Sequence, residues 1–186
     1  MLYAFGFERV GVVAGDMYLV IPAPLPGQEG AERGVRVEVR LLERGALRGS
    51  PYSARPIEVG RPTWRVDLLE AADGPAGSLN RAHHHPAFRG WDPGERVFDP
   101  GLTADPAGWV AAQLADLEGL LERAGVPADD MKADAASLRG CLPEIMAAVD
   151  RLLRKVREGE LGVPRDDEAA QPSGSEPPAE VRVGWL

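Results

Sequence analysis

Cysteine, lysine and histidine are all scarce in this chain of 186 residues, and each scarcity narrows what the chain can be. Cys141 stands alone, so no internal disulfide can form, and the composition fits a reducing compartment. Apolar residues never run long enough to cross a bilayer. The opening Met1-Leu2-Tyr3-Ala4-Phe5-Gly6-Phe7-Glu8 lacks the basic start and small-residue cleavage site of a secretory signal. The expectation is a cytoplasmic protein. Lysine occurs only at Lys132 and Lys155, while Arg, Ala, Gly and Pro abound, a bias expected of a GC-rich bacterial genome.

Positive charge is also in deficit. The net charge is −8, and the imbalance is uneven. Residues 1–70 hold 9 Arg against 9 acidic residues, whereas residues 101–186 hold 9 basic against 16 acidic. Neutralisation of phosphates drives general nucleic-acid binding, so general DNA binding is not expected. A local arginine-lined cleft in the neutral half is compatible with this balance.

What is present and informative is a run of three histidines, His83-His84-His85, the only histidines in the chain. Imidazole is the side chain that titrates near neutrality and the commonest metal ligand. In an extended segment His83 and His85 face one way and His84 the other. Such a pair begins a site for Zn, Mn or Fe if a carboxylate joins it. Asp67, Glu70, Asp92, Glu95 and Asp99 are available, and Asp67 leads because it ends a strand directly before the histidine loop. Without a metal, His83 or His85 would serve as general acid and base, with Arg65 or Arg81 stabilising negative charge. A third reading is that the histidines only cap and organise the loop, with Pro86 fixing its exit and Phe88 and Trp91 anchoring it. The spacing Gly77 to His83-x-His85 matches the opening of the cupin motif, but the glutamate required next is replaced by Arg89 or Gly90. Glu29 and Glu32, in a glycine-bounded loop, are further candidates to reach a metal or a substrate amine. Cys141 has no catalytic partner nearby in sequence.

The pattern along the chain predicts an α+β fold: an N-terminal antiparallel β-meander, as a curved sheet or open barrel, with two or three C-terminal helices packed on it. Residues 1–70 read as β, with strands at Leu2 to Val13 and Met17 to Ile21 turning at Ala14-Gly15-Asp16. Val35 to Leu41 alternates strictly, setting a Val/Leu face against a solvated or cross-paired Arg36, Glu38, Arg40 face. Tyr52 to Val59 and Thr63 to Leu69 read as two further strands, with Trp64, Val66 and Leu68 on one face. Residues 71–104 form the histidine-containing loop, with one short strand near Arg96 to Phe98. Residues 105–158 are helical: a first helix capped by Asp105-Pro106 and stopped at Gly125, a second over about 130–139, and a third opened by Pro143 and ended by Gly159. Together residues 1–160 make one domain. Residues 161–180, rich in Pro, Ser, Gly and acidic residues, read as a flexible tail. The alternating apolar segment 181–186 reads as a strand that docks on a sheet edge of this chain or of a neighbour.

Tyr52, then Arg65-Val66-Asp67, then Asn80 and His83-His84-His85-Pro86, resembles a family of small toxins from bacterial toxin–antitoxin pairs. Those chains carry a β-meander with a Tyr-containing strand, then an Arg-x-Asp-Asn-type strand running into a His-His-Pro segment. The likeness is confined to residues 52–86. Here Asp67 and Asn80 are separated where the family keeps them adjacent, and the helical region has no counterpart. The resemblance implies a toxin-like enzyme acting on RNA or nucleotides, with Asp67, His83 and His85 in its cleft. The expected function is therefore a histidine-dependent hydrolase or toxin-like nuclease. The candidate site is His83, His85, Asp67, Arg65 and Arg81, and a divalent metal (Zn, Mn or Fe) is a candidate cofactor on His83, His85 and Asp67. The alternative is a non-enzymatic module that binds a partner protein or a second copy through its sheet edge or C-terminal segment.

Overall fold

The computed structural model describes residues 1–24, 26–127 and 131–164. It has the α+β architecture expected: a five-stranded antiparallel sheet with helices on one face. The strands run in chain order: β1 (Leu2–Gly6), β2 (Val10–Val20), β3 (Ala31–Arg44), β4 (Ile57–Ala71) and β5 (His83–His85). The sheet is open, not closed into a barrel. The helices are α1 (Pro100–Ala104), α2 (Pro106–Ala115), α3 (Leu117–Arg123) and α4 (Lys132–Arg157). Among the described residues no helix is long and apolar enough to cross a membrane. The segment 181–186, expected to dock, lies outside the described residues, as does most of the tail.

Alternation builds the core. Val10, Val12 and Ala14 on β2, Val35, Val37 and Val39 on β3, and Trp64, Val66 and Leu68 on β4 share the helix-facing side. Against them pack Val110 and Leu114 of α2, Leu120 and Leu121 of α3, and Leu138, Ile145, Val149 and Leu152 of α4. Each fully buried aliphatic side chain of this kind is worth about 1.5–3 kcal/mol. Aspartates cap three of the helices: the side chains of Asp99, Asp105 and Asp116 accept backbone N–H groups of α1, α2 and α3. Gly125 and Gly159 take positive φ just past α3 and α4, where a left-handed residue closes the last turn.

Several boundaries differ from the sequence reading, each for a physical reason. The first hairpin turns between β1 and β2 at residues 7–9, not at Ala14-Gly15-Asp16, and β2 runs straight through those three residues. A distant group fixes this turn: Asp134 of α4 accepts the N–H groups of Glu8 and Arg9 at 2.8 and 3.1 Å. The two strands expected over 52–69 are one strand, β4, in which irregular pairing opposite Arg40 to Leu42 absorbs the Gly60-Arg61-Pro62 interruption. Tyr52 lies in a turn before it and is almost wholly exposed. The helix expected from Asp105 to Gly125 is divided by Asp116, which ends α2 and caps α3. The second and third expected helices are one, because α4 continues through Pro143.

Pro143 has no N–H to give to the carbonyl one turn back, and its ring crowds that carbonyl. Pro143→Ala should raise the stability of the protein by about 1–3 kcal/mol in urea denaturation. A loss instead would mean that the proline-induced bend is part of how α4 fits the sheet.

Candidate functional site

β5 is only three residues long, and its register decides the site. Asp67 pairs with His83, Val66 with His84, and Arg65 with His85. His83 and His85 therefore share the face of Asp67 and Arg65, while His84 turns to the core, as the alternation of the three histidines predicts. The His84 ring lies 4.9 Å from that of Trp109 on α2, which stacks in turn on Trp64. The His84 backbone exchanges two hydrogen bonds with Val97, so the loop after β5 folds back beside it. That loop brings Phe98 to 5.7 Å from the His83 ring and Phe88 to 6.5 Å from the His85 ring. His83, His85 and Asp67 are buried, each 3% exposed or less.

Backbone carbonyls fix both imidazoles. His83 Nδ1 lies 2.8 Å from the Arg81 carbonyl and His85 Nδ1 lies 3.1 Å from that of Pro93. A carbonyl only accepts, so both Nδ1 atoms carry the proton and both Nε2 atoms point at Asp67. The Nε2 atoms of His83 and His85 stand 3.4 and 3.8 Å from Asp67 Oδ2. All three donor atoms lie within 4.8 Å of one another. A bare Nε2 lone pair beside a carboxylate oxygen is repulsive. The gap at His83 thus calls for a proton or a metal ion between the two atoms.

Two guanidiniums also converge on Asp67. Arg36, its partner across β3 and β4, forks over both carboxylate oxygens at 2.7 and 3.2 Å. Arg65 Nε lies 3.1 Å from Oδ2 but out of line for a hydrogen bond, and finds no other acceptor among the described residues. Its Nη2 lies 2.8 Å from His85 Nε2, and its guanidinium lies over the Phe88 ring. Burial alone would push the Asp67 carboxyl up; a hydrogen bond from His83, with a proton on its Nε2, and the Arg36 and Arg65 guanidiniums outweigh it and hold the group well below the usual carboxylate range. Burial, reinforced by the neighbouring Arg65, pushes the His85 pKa down to about 4. Burial likewise lowers that of His84.

Four of the five residues singled out from sequence thus meet: Asp67, His83, His85 and Arg65. The Arg81 guanidinium does not join them. It reaches the carbonyls of Gly27 and Glu29, and only the Arg81 carbonyl touches the site, through His83. The arginine that strand pairing supplies is Arg36, which sequence reasoning left on a solvated or cross-paired face. Its signal was parity: Arg36 and Asp67 both alternate away from the apolar face of their strands. Glu32 does not reach the cluster either. It is fully buried and takes a forked pair from Arg96 at 2.9 and 2.8 Å. Asn80 is a structural residue whose Oδ1 accepts the Ala71 N–H. Comparison with protein-family models, with curated proteins and with solved structures finds no match to this chain.

Two predictions follow from these charges. Arg96→Ala strands Glu32 as an uncompensated buried carboxylate and should cost about 3 kcal/mol or more, most of it restored by adding Glu32→Gln. Acid should destabilise the metal-free fold in two stages. An unfolded histidine takes up a proton near pH 6.5, whereas folded His85 resists until about 4, so stability is lost as pH falls across that window. Asp67, lowered in the fold, adds a further loss below its unfolded value near 3.9. His85→Gln should flatten the first stage in a series of denaturation curves from pH 7 to 4; an unchanged slope would contradict the assignment.

Proposed function

We propose that this chain is a metal-dependent hydrolase of phosphodiesters, of the toxin-like nuclease type, working at Asp67, His83 and His85. The observation that carries this reading is the donor triangle. Two imidazoles, each oriented by a carbonyl behind it, aim their Nε2 atoms at one carboxylate oxygen. Bonds of 2.0–2.2 Å to a tetrahedral ion put neighbouring ligand atoms about 3.4 Å apart, and the two distances to Oδ2 are 3.4 and 3.8 Å. The Arg81 and Pro93 carbonyls supply the outer support that metal-binding histidines use. Two imidazoles and a carboxylate suit Zn, Mn or Fe. When bound, such an ion would polarise a phosphoryl oxygen and lower the pKa of bound water to about 7. Arg36 and Arg65 are the groups suited to an anionic substrate, since a guanidinium matches phosphate geometry with paired donors. The likeness of Arg65-Val66-Asp67 and His83-His84-His85-Pro86 to the toxin family points to the same substrate class, although Tyr52 lies in a turn and Asn80 serves the backbone.

One observation favours a second reading. The cluster is covered by Phe88 and Phe98, and its carboxylate already has two guanidinium partners. In that reading the histidines lock a loop in a non-enzymatic module that binds a partner protein or a second copy.

Equilibrium dialysis of the untagged protein against Zn²⁺ and Mn²⁺, with hydrolysis of single-stranded RNA followed in parallel, separates the two. The hydrolase reading expects one ion per chain, RNA cleavage that needs it, and loss of both in the His83→Ala/His85→Ala double variant with its circular dichroism intact. Neither ion binding nor cleavage in the parent protein would leave the second reading standing.

A further inference from the structure

A cation of the protein itself, Arg65, already touches two of the three groups of the proposed metal site. Arg65 Nη2 sits 2.8 Å from His85 Nε2 and Arg65 Nε sits 3.1 Å from Asp67 Oδ2. His85 and Asp67 are two of the three residues of the proposed metal site. The one lone pair of His85 Nε2 cannot face a guanidinium and an ion at once, whereas the Asp67 carboxylate has lone pairs for both. Arg36 differs in kind: it reaches Asp67 from the neighbouring strand and forks over the carboxylate, with neither ring nitrogen among its contacts. The Arg65 hold is also incomplete. Its Nε is buried without an acceptor in line, and only the Nη2 contact to His85 has hydrogen-bond geometry. Yet the side chain is not sealed in, being 13% exposed where Asp67 is 2%.

Building on the metal reading above, we propose that Arg65 is a resident placeholder cation: it must leave His85 Nε2 before a metal binds, and once displaced it is the arm that holds the anionic group of the substrate. The histidines are pinned by β5 and by two carbonyls, whereas Arg65 is a long side chain on a fixed strand. The exchange therefore needs side-chain rotation and no change of fold. Two consequences follow. Metal affinity in the parent protein is reduced by the free energy of the Arg65 contacts. Metal and a phosphate-bearing ligand also assist each other, because each favours the displaced position of Arg65, and such coupling is reciprocal.

The test is Zn²⁺ affinity, measured by competition with a chromophoric chelator, in the parent protein and in Arg65→Met, Arg65→Lys and Arg36→Met. Arg65→Met and Arg36→Met remove the same unit charge near Asp67, so charge alone predicts equal effects. Occupancy predicts a gain of about tenfold or more for Arg65→Met, within the usual range of coupling between sites, and a clearly smaller one for Arg36→Met. Arg65→Lys keeps the charge but cannot span both acceptors, and should fall between the parent and Arg65→Met. It also serves if the methionine variant folds poorly. Equal gains at positions 36 and 65, or no gain at 65, would falsify the placeholder role while leaving the metal site intact. No Zn²⁺ binding in any of the proteins removes the metal reading and this inference with it.

Discussion

The pairing register of β4 with β5 is the constraint on which the rest of the site depends. Three residue pairs fix it, and a slip of one residue would turn every side chain of β5 to the opposite face. His83 and His85 would then enter the apolar layer, and His84 would replace them beside Asp67. What holds the register is on the other side of the sheet. The His84 ring lies against Trp109, which stacks on Trp64, and the His84 backbone is closed from the outer edge by Val97. The middle histidine belongs to the packing of α2 on the sheet, and that packing places the outer two.

A cluster of this kind is a poor way to stabilise a fold. Removing charges from water costs several kcal/mol per ion, and well-packed apolar residues in the same volume are often at least as stabilising. Here a carboxylate, two guanidiniums and two imidazoles share one patch beneath Phe88 and Phe98. The arrangement has internal tension: Arg65 keeps a buried N–H without a proper acceptor. By contrast, the buried Glu32–Arg96 fork closes with good geometry and with every charge answered. The second pair reads as structure. The first is the cluster on which the metal proposal rests.

Local pattern carried the fold class, the helix-facing residues and four members of the site, because those depend on period and on neighbours in sequence. Val35 to Leu41, Trp64 to Leu68 and His83 to His85 alternate, so their faces could be assigned without a structure. The errors fell where a distant residue decides. Ala14-Gly15-Asp16 has turn chemistry, yet β2 continues through it because the chain has already turned where Asp134 caps Glu8 and Arg9. Gly60 and Pro62 suggest a break, yet β4 continues because β3 takes up the irregularity. Pro143 suggests a helix start, yet apolar residues on both sides, Leu138 and Ile145, hold one helix to the same core. The choice of Arg81 over Arg36 was an error of the same kind, since only the β3–β4 register shows which guanidinium meets Asp67.

The same geometry also limits what in the site can move. Asp67 is short and sits mid-strand; His83 and His85 are held at the backbone by β4 and at Nδ1 by carbonyls. Their donor atoms are therefore set by the sheet with little freedom to adapt. Arg36 and Arg65 reach the same carboxylate through long, jointed side chains, and only a guanidinium among these groups can leave without disturbing the ladder. Preorganised donors favour ion binding, because they need no ordering when the ion arrives. The proposed metal site would use that division between short, fixed donors and long-armed cations, whereas fastening the loop does not require it.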